Sequence, residues 1–180
     1  MSAPLRAAAS EVPVWDLGVR LFHWGTVAAV ATAFLAEEGE SLHEKAGYLA
    51  AALLGFRLIW GLIGTRHARF SDFVAGPGKV FTYLLDRMRG RAPHYLGHNP
   101  AGGAMILVLL TLLATVAGTG VAMTSDALWG NHLVEEIHET AANALLVCVG
   151  IHVAAVILMS KLDRENLVRA MVTGKKRRQP

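Results

Sequence analysis

The sequence predicts an all-α integral membrane protein, built as a bundle of four membrane-spanning helices. Of its 180 residues, 53% are hydrophobic and only 17% are charged, whereas a soluble domain is usually about a quarter charged. Four apolar runs have the roughly 20 residues that a helix needs to cross a bilayer. In lipid the backbone must satisfy its own hydrogen bonds, so these runs are predicted to be helices. We expect a single domain over residues 1–180, with spans near 17–36, 43–64, 101–124 and 137–160.

The distribution of charge predicts which ends of the spans face the cytoplasm. The connection between the second and third spans and the segment after the fourth span are basic, and the other two connections are acidic. Positively charged segments stay on the cytoplasmic side. Both termini are therefore expected inside, with residues 161–180 as a basic cytoplasmic tail, and the basic residues are explained without nucleic-acid binding. The acidic outer connections contain Lys45 and the carboxylates Glu37, Glu38, Glu40, Glu44, Asp126, Glu135 and Glu136.

The segments outside the spans give three further expectations. In residues 79–89, apolar side chains recur at i, i+3, i+4 and i+7, which predicts a short helix lying in the inner membrane interface. The first fifteen residues contain no apolar core, so no cleavable signal peptide is expected. The single cysteine, Cys148, excludes an internal disulfide and any multi-cysteine metal site.

Four of the eight histidines lie within the predicted spans or open one of them. Ionisable residues are rare inside a bilayer and are usually functional there. His23 and His152 lie about 9 and 12 Å from the cytoplasmic ends of their spans, at a rise of 1.5 Å per residue, and we name them the inner pair. His43 and His138 both lie at outer ends of spans and form the outer pair. Each pair can place two imidazoles across the bundle, which suits bis-histidine ligation of haem iron.

Two other interpretations of these histidines stay open. A zinc site needs three or four ligands at one level, and two pairs at different depths fit that requirement less well. A helical scaffold could use a histidine for an interhelical hydrogen bond, which would explain one such residue better than four. The histidines of the polar connections are expected to be solvated or interfacial; they are His67, His94, His98 and His132.

Two arginines are predicted to lie near the inner pair. Arg57 follows His43 by fourteen residues, which carries it about 21 Å along the helix toward the inner level. Arg20 precedes His23 by three residues. A guanidinium in a membrane needs an anion or water, and a haem propionate can accept two parallel hydrogen bonds from it. We expect Arg57 to line the haem site, and Arg20 either to do the same or to extend to the interface.

Short motifs surround these residues and carry a resemblance to a known family. They are Arg20-Leu-Phe-His23-Trp24, Leu42-His43-Glu44-Lys45-Ala-Gly47, Gly97-His98-Asn99-Pro100-Ala-Gly102-Gly103, and His138-Glu-Thr-Ala with His152. Together with Arg57 they resemble the bacterial cytochrome b561 family, which includes the cytochrome b subunit of nickel–iron hydrogenases. The resemblance covers about residues 12–172. It implies two b-type haems whose axial ligands are His23, His43, His138 and His152.

The resemblance also implies a function in the bacterial inner membrane. Members of the family carry electrons between quinone and an extracytoplasmic partner, either a c-type cytochrome or a redox-enzyme subunit. A compact branch oxidises superoxide and reduces ubiquinone. The acidic outer connections favour a basic protein partner and repel superoxide, so we predict a transmembrane di-haem electron carrier, with superoxide:ubiquinone oxidoreductase as the alternative. Quinone is expected near the inner pair, where His98 and Asn99 offer polar groups.

Overall fold

A computed structural model describes residues 11–37 and 39–177 of the chain. Each of its four long helices is long and apolar enough to cross a membrane. The predicted all-α membrane bundle is therefore confirmed. The four helices are α1 (Leu17–Leu35), α2 (Ser41–Ile63), α5 (Pro100–Met123) and α6 (His132–Leu162).

The remaining elements are short and lie outside the long helices. A single 3-10 turn covers Arg66–Ala68, and the two strands pair antiparallel. The expected absence of a signal peptide concerns mainly residues 1–10, which lie outside the described ranges, as do Glu38 and residues 178–180. The short elements are β1 (Glu11–Pro13), α3 (Phe70–Phe73), α4 (Pro77–Met88), α7 (Leu167–Thr173) and β2 (Lys175–Arg177).

The fourth long helix begins five residues before the predicted span. The side chain of Asn131 accepts hydrogen bonds from the backbone N–H groups of Leu133 and Val134. This cap satisfies donors that a helix N-terminus otherwise leaves without a partner. The hydropathy pattern marks only the part of a helix that lies in hydrocarbon, so it misses a polar first turn.

The long helices pack in the order α1, α2, α5, α6. In the described part of the chain, α6 packs closely on α5, while neither α1 nor α2 is closely packed against α6. Leu145 is seven residues from both His138 and His152, so the apolar core to which it belongs lies between the levels of the two histidine pairs. That core consists of Ala29, Ala50, Leu54, Leu110, Leu113 and Leu145.

A second apolar core closes the end of the bundle where α1 begins and α6 ends. The backbone N–H groups of Val14 and Trp15 both donate to the carbonyl of Gly174, at 2.8 and 3.0 Å. Gly174 has a φ of 81°, in the left-handed region that glycine adopts without steric cost. The segment predicted as a basic tail is thus folded as far as residue 177 and packs against the residues that precede α1. This core consists of Val14, Trp15, Val19, Ala68 and Ala170.

The amphipathic helix expected over residues 79–89 forms as α4. The buried ring of Tyr83 anchors it, and Arg87 pairs with Asp163, the residue that follows α6, at 2.5 Å. The apolar side chains of Phe81 and Met88 are exposed on its other face. This helix is therefore held to the bundle by one face and presents an apolar face outward.

Asp16 joins the beginning of α1 to the end of α2. Its carboxylate accepts hydrogen bonds from the backbone N–H of Val19 at 2.8 Å, from the indole of Trp60 at 3.1 Å and from the hydroxyl of Thr65 at 2.5 Å. Burial raises the pKa of this carboxyl, but the hydrogen bonds outweigh burial and hold the pKa below its ordinary 3.8.

We predict that Asp16→Ala lowers the free energy of unfolding by about 1–2 kcal/mol, because the helix loses its cap and Trp60 and Thr65 lose their acceptor. Because folding lowers this pKa, the contribution of the Asp16 carboxylate to stability is fully present above pH about 4, near its unfolded value. That contribution is lost as the pH falls through the lower pKa of the folded state. Thermal unfolding of the purified protein at pH 7 measures the difference. Asp126→Ala, in an exposed turn, is the matched control, and equal melting temperatures for both variants would contradict the assignment.

Candidate functional site

The two histidines of the outer pair face one another. The ring centroids of His43, on α2, and His138, on α6, are 6.3 Å apart and their planes are inclined by 62°. A metal ion between two imidazoles has metal–nitrogen bonds of about 2 Å, which with the ring radii gives a centroid separation of roughly 6 Å. The observed separation therefore fits one iron ion between the two rings.

Hydrogen bonds fix the tautomer of both outer histidines. His43 Nδ1 lies 2.9 Å from the carbonyl of Ala33, and a carbonyl can only accept, so Nδ1 carries the proton. His138 Nδ1 lies 3.0 Å from the hydroxyl of Thr119, which donates to the carbonyl of Thr115 at 2.7 Å and so accepts from the imidazole. Protonation at Nδ1 makes Nε2 the nitrogen with the lone pair. Histidines that bind metals are oriented in this way by a second hydrogen bond.

Glycines leave space around the outer pair. A Cβ atom at Gly120 would lie 3.2 Å from Cε1 of His138, so this glycine allows the ring to take its position beside α5. A Cβ atom at Gly47, one turn after His43, would meet no described atom within 4 Å. The backbone near both ligands is therefore bare enough for a flat macrocycle to approach.

The inner pair joins α1 to α6 across the other part of the bundle. His23 lies on α1 and His152 on α6, and both side chains are half-buried. Nδ1 of His23 is buried and has no hydrogen-bond partner among the described residues. The indole ring of Trp24 packs edge-on against His23, at 4.9 Å between centroids. The imidazole of His23 is therefore partly buried and lies against an aromatic ring.

Arg57 is a buried cation near the inner pair. It is only 3% exposed, and its guanidinium lies 4.9 Å from the ring centroid of Phe70, 5.9 Å from that of Phe22 and 6.0 Å from that of Phe73. Its Nη1 atom has no hydrogen-bond partner in the described chain. A buried charge without a counterion is costly by several kcal/mol, so this site fits an anionic group such as a carboxylate.

Arg20 lies at the end of the bundle near the inner pair and reaches α7. Its Nη2 donates to the backbone carbonyl of Val172. The Nε atom is buried and lacks a partner within the described ranges. One part of this guanidinium therefore stabilises the folded C-terminal segment, and another part can still bind a ligand.

His98 is enclosed by aromatic rings instead of being solvated as expected for a polar connection. Its ring centroid is 4.4 Å from that of Trp15 and 4.9 Å from that of Phe73. Burial, with the positive charges of Lys176 and Arg57, lowers the pKa of His98 to about 3, so the ring is neutral at physiological pH. Its Nδ1 is buried with no partner among residues 11–37 and 39–177.

Asn99 has a structural function in addition to the one expected of it. Its side-chain oxygen accepts a hydrogen bond of 2.8 Å from the backbone N–H of Gly102 and so caps α5. This leaves the neighbouring His98 as the side chain of the loop that carries an unpaired buried nitrogen.

The structure brings together some residues that the sequence did not single out. Thr119 orients His138, and the rings of Phe70 and Phe73 enclose Arg57. A threonine inside an apolar span is a recognisable signal, but its partner on another helix is not. Among the described residues, no three or more His, Cys, Asp or Glu side chains gather at a metal-binding distance.

These observations define a class of protein: a multi-pass helical membrane protein with paired imidazoles spaced for a metal macrocycle. The chain belongs to the prokaryotic cytochrome b561 family, whose pattern matches residues 14–174, and the resemblance seen in the sequence is confirmed. It is a transmembrane b-type cytochrome that takes part in electron transfer, and the family implies haem b as its cofactor.

The chain is similar to proteins described as probable Ni/Fe-hydrogenase B-type cytochrome subunits. The protein from Rhizobium leguminosarum bv. viciae is 24% identical over 212 aligned positions, which cover 92% of this chain and 89% of the relative. The protein from Azotobacter vinelandii is 26% identical, over 92% of this chain and 88% of the relative. The protein from Bradyrhizobium diazoefficiens is 26% identical, over 74% of this chain and 64% of the relative. No solved structure matches the chain significantly.

Proposed function

We propose that this cytochrome holds two b-type haems and carries electrons across the bacterial inner membrane, between an extracytoplasmic redox partner and the quinone pool. The observation that carries the proposal is the outer pair, whose rings lie 6.3 Å apart with both Nδ1 atoms engaged. Bound haem would supply a one-electron iron couple. The chain's own residues would hold and orient the haem and shield it from water.

At the outer site, His43 and His138 would bind the iron through Nε2. The carbonyl of Ala33 and the hydroxyl of Thr119 hold the two rings in position. Because α2 and α6 are not closely packed on one another, a macrocycle can fill the space between them. We assign His23 and His152 the same function at the inner site, between α1 and α6.

Arg57 and Arg20 would bind the propionates of the inner haem. Both have a buried nitrogen without a partner within the described residues; Arg20 lies on the same helix as His23, and Arg57 lies on the neighbouring helix α2. A carboxylate on Arg57 would compensate its charge inside the aromatic enclosure. This assignment explains a buried guanidinium that makes no direct ion pair with a carboxylate among the described residues.

The inner haem, in this proposal, lies toward the cytoplasm, where the basic segments place both termini. The helix α4 then lies in the inner interface, with the exposed side chains of Phe81, Leu84 and Met88 among the acyl chains. A groove of about 380 Å³ between α4 and α5 is almost entirely apolar, as a surface in contact with lipid should be. Its lining residues are Ala75, Pro77, Val80, Phe81, Leu84 and Ala104.

The outer partner is proposed to be a basic c-type cytochrome or a redox-enzyme subunit. The carboxylates of the outer turns are exposed in the described structure, among them Glu37, Glu40, Glu44 and Asp126. Such a surface attracts a basic protein and repels an anion such as superoxide. The similar proteins are described as subunits of probable hydrogenases, which favours an enzyme subunit as one form of this partner.

Quinone is proposed to exchange beside His98 at the inner end. The neutral ring of His98 has one buried nitrogen without a partner in the described chain. That nitrogen can donate a hydrogen bond to a quinone oxygen or accept one from a quinol. Asn99 would hold the loop in place through its cap on α5.

Single substitutions test the pairing of the four histidines. We expect the wild-type protein to contain two b-type haems, and His43→Ala and His138→Ala each to lose the same one, because removal of either ligand opens that site. His23→Ala and His152→Ala should lose the other. Reduced-minus-oxidised spectra and haem-to-protein ratios measure this; wild-type protein without a b-type signal would refute the proposal, and different losses from His43→Ala and His138→Ala would refute the pairing.

Thr119→Val tests the orientation of His138. Valine has the shape of threonine but cannot accept the hydrogen bond from Nδ1–H of His138. Loss of such a partner lowers the affinity for the metal group by about 10- to 100-fold. Haem titration of the apoprotein measures the affinity. Thr115→Val is the matched control, because the hydroxyl of Thr115 donates only to its own helix, at Thr111. Equal affinities in the two variants would show that Thr119 does not position the ligand.

His98→Gln tests the quinone site. We expect reoxidation of the reduced protein by a soluble quinone to slow about tenfold or more, since the variant loses a group that exchanges a proton with the quinone. The haem spectrum and reoxidation by ferricyanide should not change. Unchanged reoxidation by quinone would show that quinone is bound elsewhere.

A further inference from the structure

A pair of opposite charges is buried beneath the inner pair. Glu165 and Lys176 are 8% and 6% exposed, and Lys176 Nζ lies 3.8 Å from Glu165 Oε2. The same carboxylate oxygen lies 3.9 Å from Nε2 of His94, whose side chain is 28% exposed. Three proton-binding groups therefore run from the surface into the protein.

The series continues inward to His98. Nζ of Lys176 lies 5.7 Å from the ring centroid of Trp15, and the same ring also contacts His98, at 4.4 Å between centroids. The charge of Lys176 acts directly on His98. Lys176 thus lies between a carboxylate linked to the surface and the imidazole that we place at the quinone site.

Contacts other than this buried ion pair also attach the C-terminal strand. The backbone N–H of Arg177 already donates to Glu165 Oε1 at 2.9 Å. On the surface, Glu11 pairs with Lys175 at 3.9 Å and with Arg169 at 3.8 Å, and β1 pairs with β2 along its backbone. Burial of an ion pair adds little net stability, so a structural function alone explains the buried pair poorly.

We infer that His94, Glu165 and Lys176 conduct protons between the cytoplasmic water and His98. This inference rests on the proposed function. Reduction of one quinone to quinol consumes two electrons, delivered by the cytochrome one at a time, and two protons, which come from cytoplasmic water by this route. Oxidation of quinol returns both protons along the same groups.

The charges that face these groups are compatible with conduction. Glu165 faces His94 and Lys176, and Asp163 also acts on Lys176. Burial lowers the pKa of Lys176, and the two carboxylates only partly oppose this, so its proton is held less firmly than on a surface lysine. The other charged or titratable groups that act on His98 are Arg57, Asp72 and His67.

The test compares two oxidants on the haem-loaded protein. We expect Glu165→Gln to slow reoxidation by decylubiquinone about tenfold and to increase the ratio of rates in H₂O and D₂O, because proton delivery becomes limiting. Reoxidation by ferricyanide, which takes no proton, should keep its wild-type rate. His94→Gln, at the exposed end, should slow the quinone reaction increasingly above pH 7. Glu11→Gln, the surface counterpart, should match the wild type in every assay.

A second measurement separates this inference from the proposed function. When the haems are reduced chemically without quinone, the added electrons raise the proton affinity of buried groups near them, and a pH indicator follows the rate at which these groups take up protons. Glu165→Gln should slow that uptake. If the wild-type protein fails to react with quinone, the proposed quinone site is refuted. Proton uptake without quinone then still tests the proton route through His94, Glu165 and Lys176. The inference would be overturned by any one of three results. The first is unchanged proton uptake in Glu165→Gln, and the second is an unchanged rate of reoxidation by quinone in both Glu165→Gln and His94→Gln. The third is equal slowing of reoxidation by quinone and by ferricyanide.

Discussion

The separation of α6 from α1 and α2 is the constraint on which the rest of this structure depends. This helix contributes one histidine to each pair, yet within the described chain its close helical partners are α5 and α7. Helices in lipid associate largely through van der Waals packing, which a gap between them loses, so the proposed ligands explain the open sides of α6 better than packing does. The core around Leu145 keeps the two levels distinct, because it fills the bundle between them with side chains.

The two ends of the bundle differ in whether their buried nitrogen atoms have hydrogen-bond partners. At the outer end, Nδ1 of both histidines is already engaged with a carbonyl or a hydroxyl, so the site is preorganised before any ligand binds. At the inner end, Arg57 and His23 keep buried nitrogen atoms without partners in the described chain. The outer histidines are therefore held by hydrogen bonds within the described chain, whereas at the inner end the buried nitrogen atoms still lack partners there.

The sequence predicted the bundle because long apolar runs and their flanking charges are local signals, and three helices begin and end within two residues of the predicted spans. It also brought His43 and His138 to one level, since helical rise is regular. It did not reveal the hydrogen bond from His138 to Thr119 or the aromatic rings around His98. Those contacts join different helices and connections, and the spacing of residues within one segment carries no information about them.

The pairing of β1 with β2 has a consequence for the biogenesis of this protein. Residues 11–13 are synthesised before any of the four spans, but they find their partners only when residues 175–177 follow, after all four spans have been synthesised. Contacts between segments so distant in sequence form late. This end of the bundle therefore closes only after the spans are made, which would leave a large planar cofactor a way in before the two strands pair.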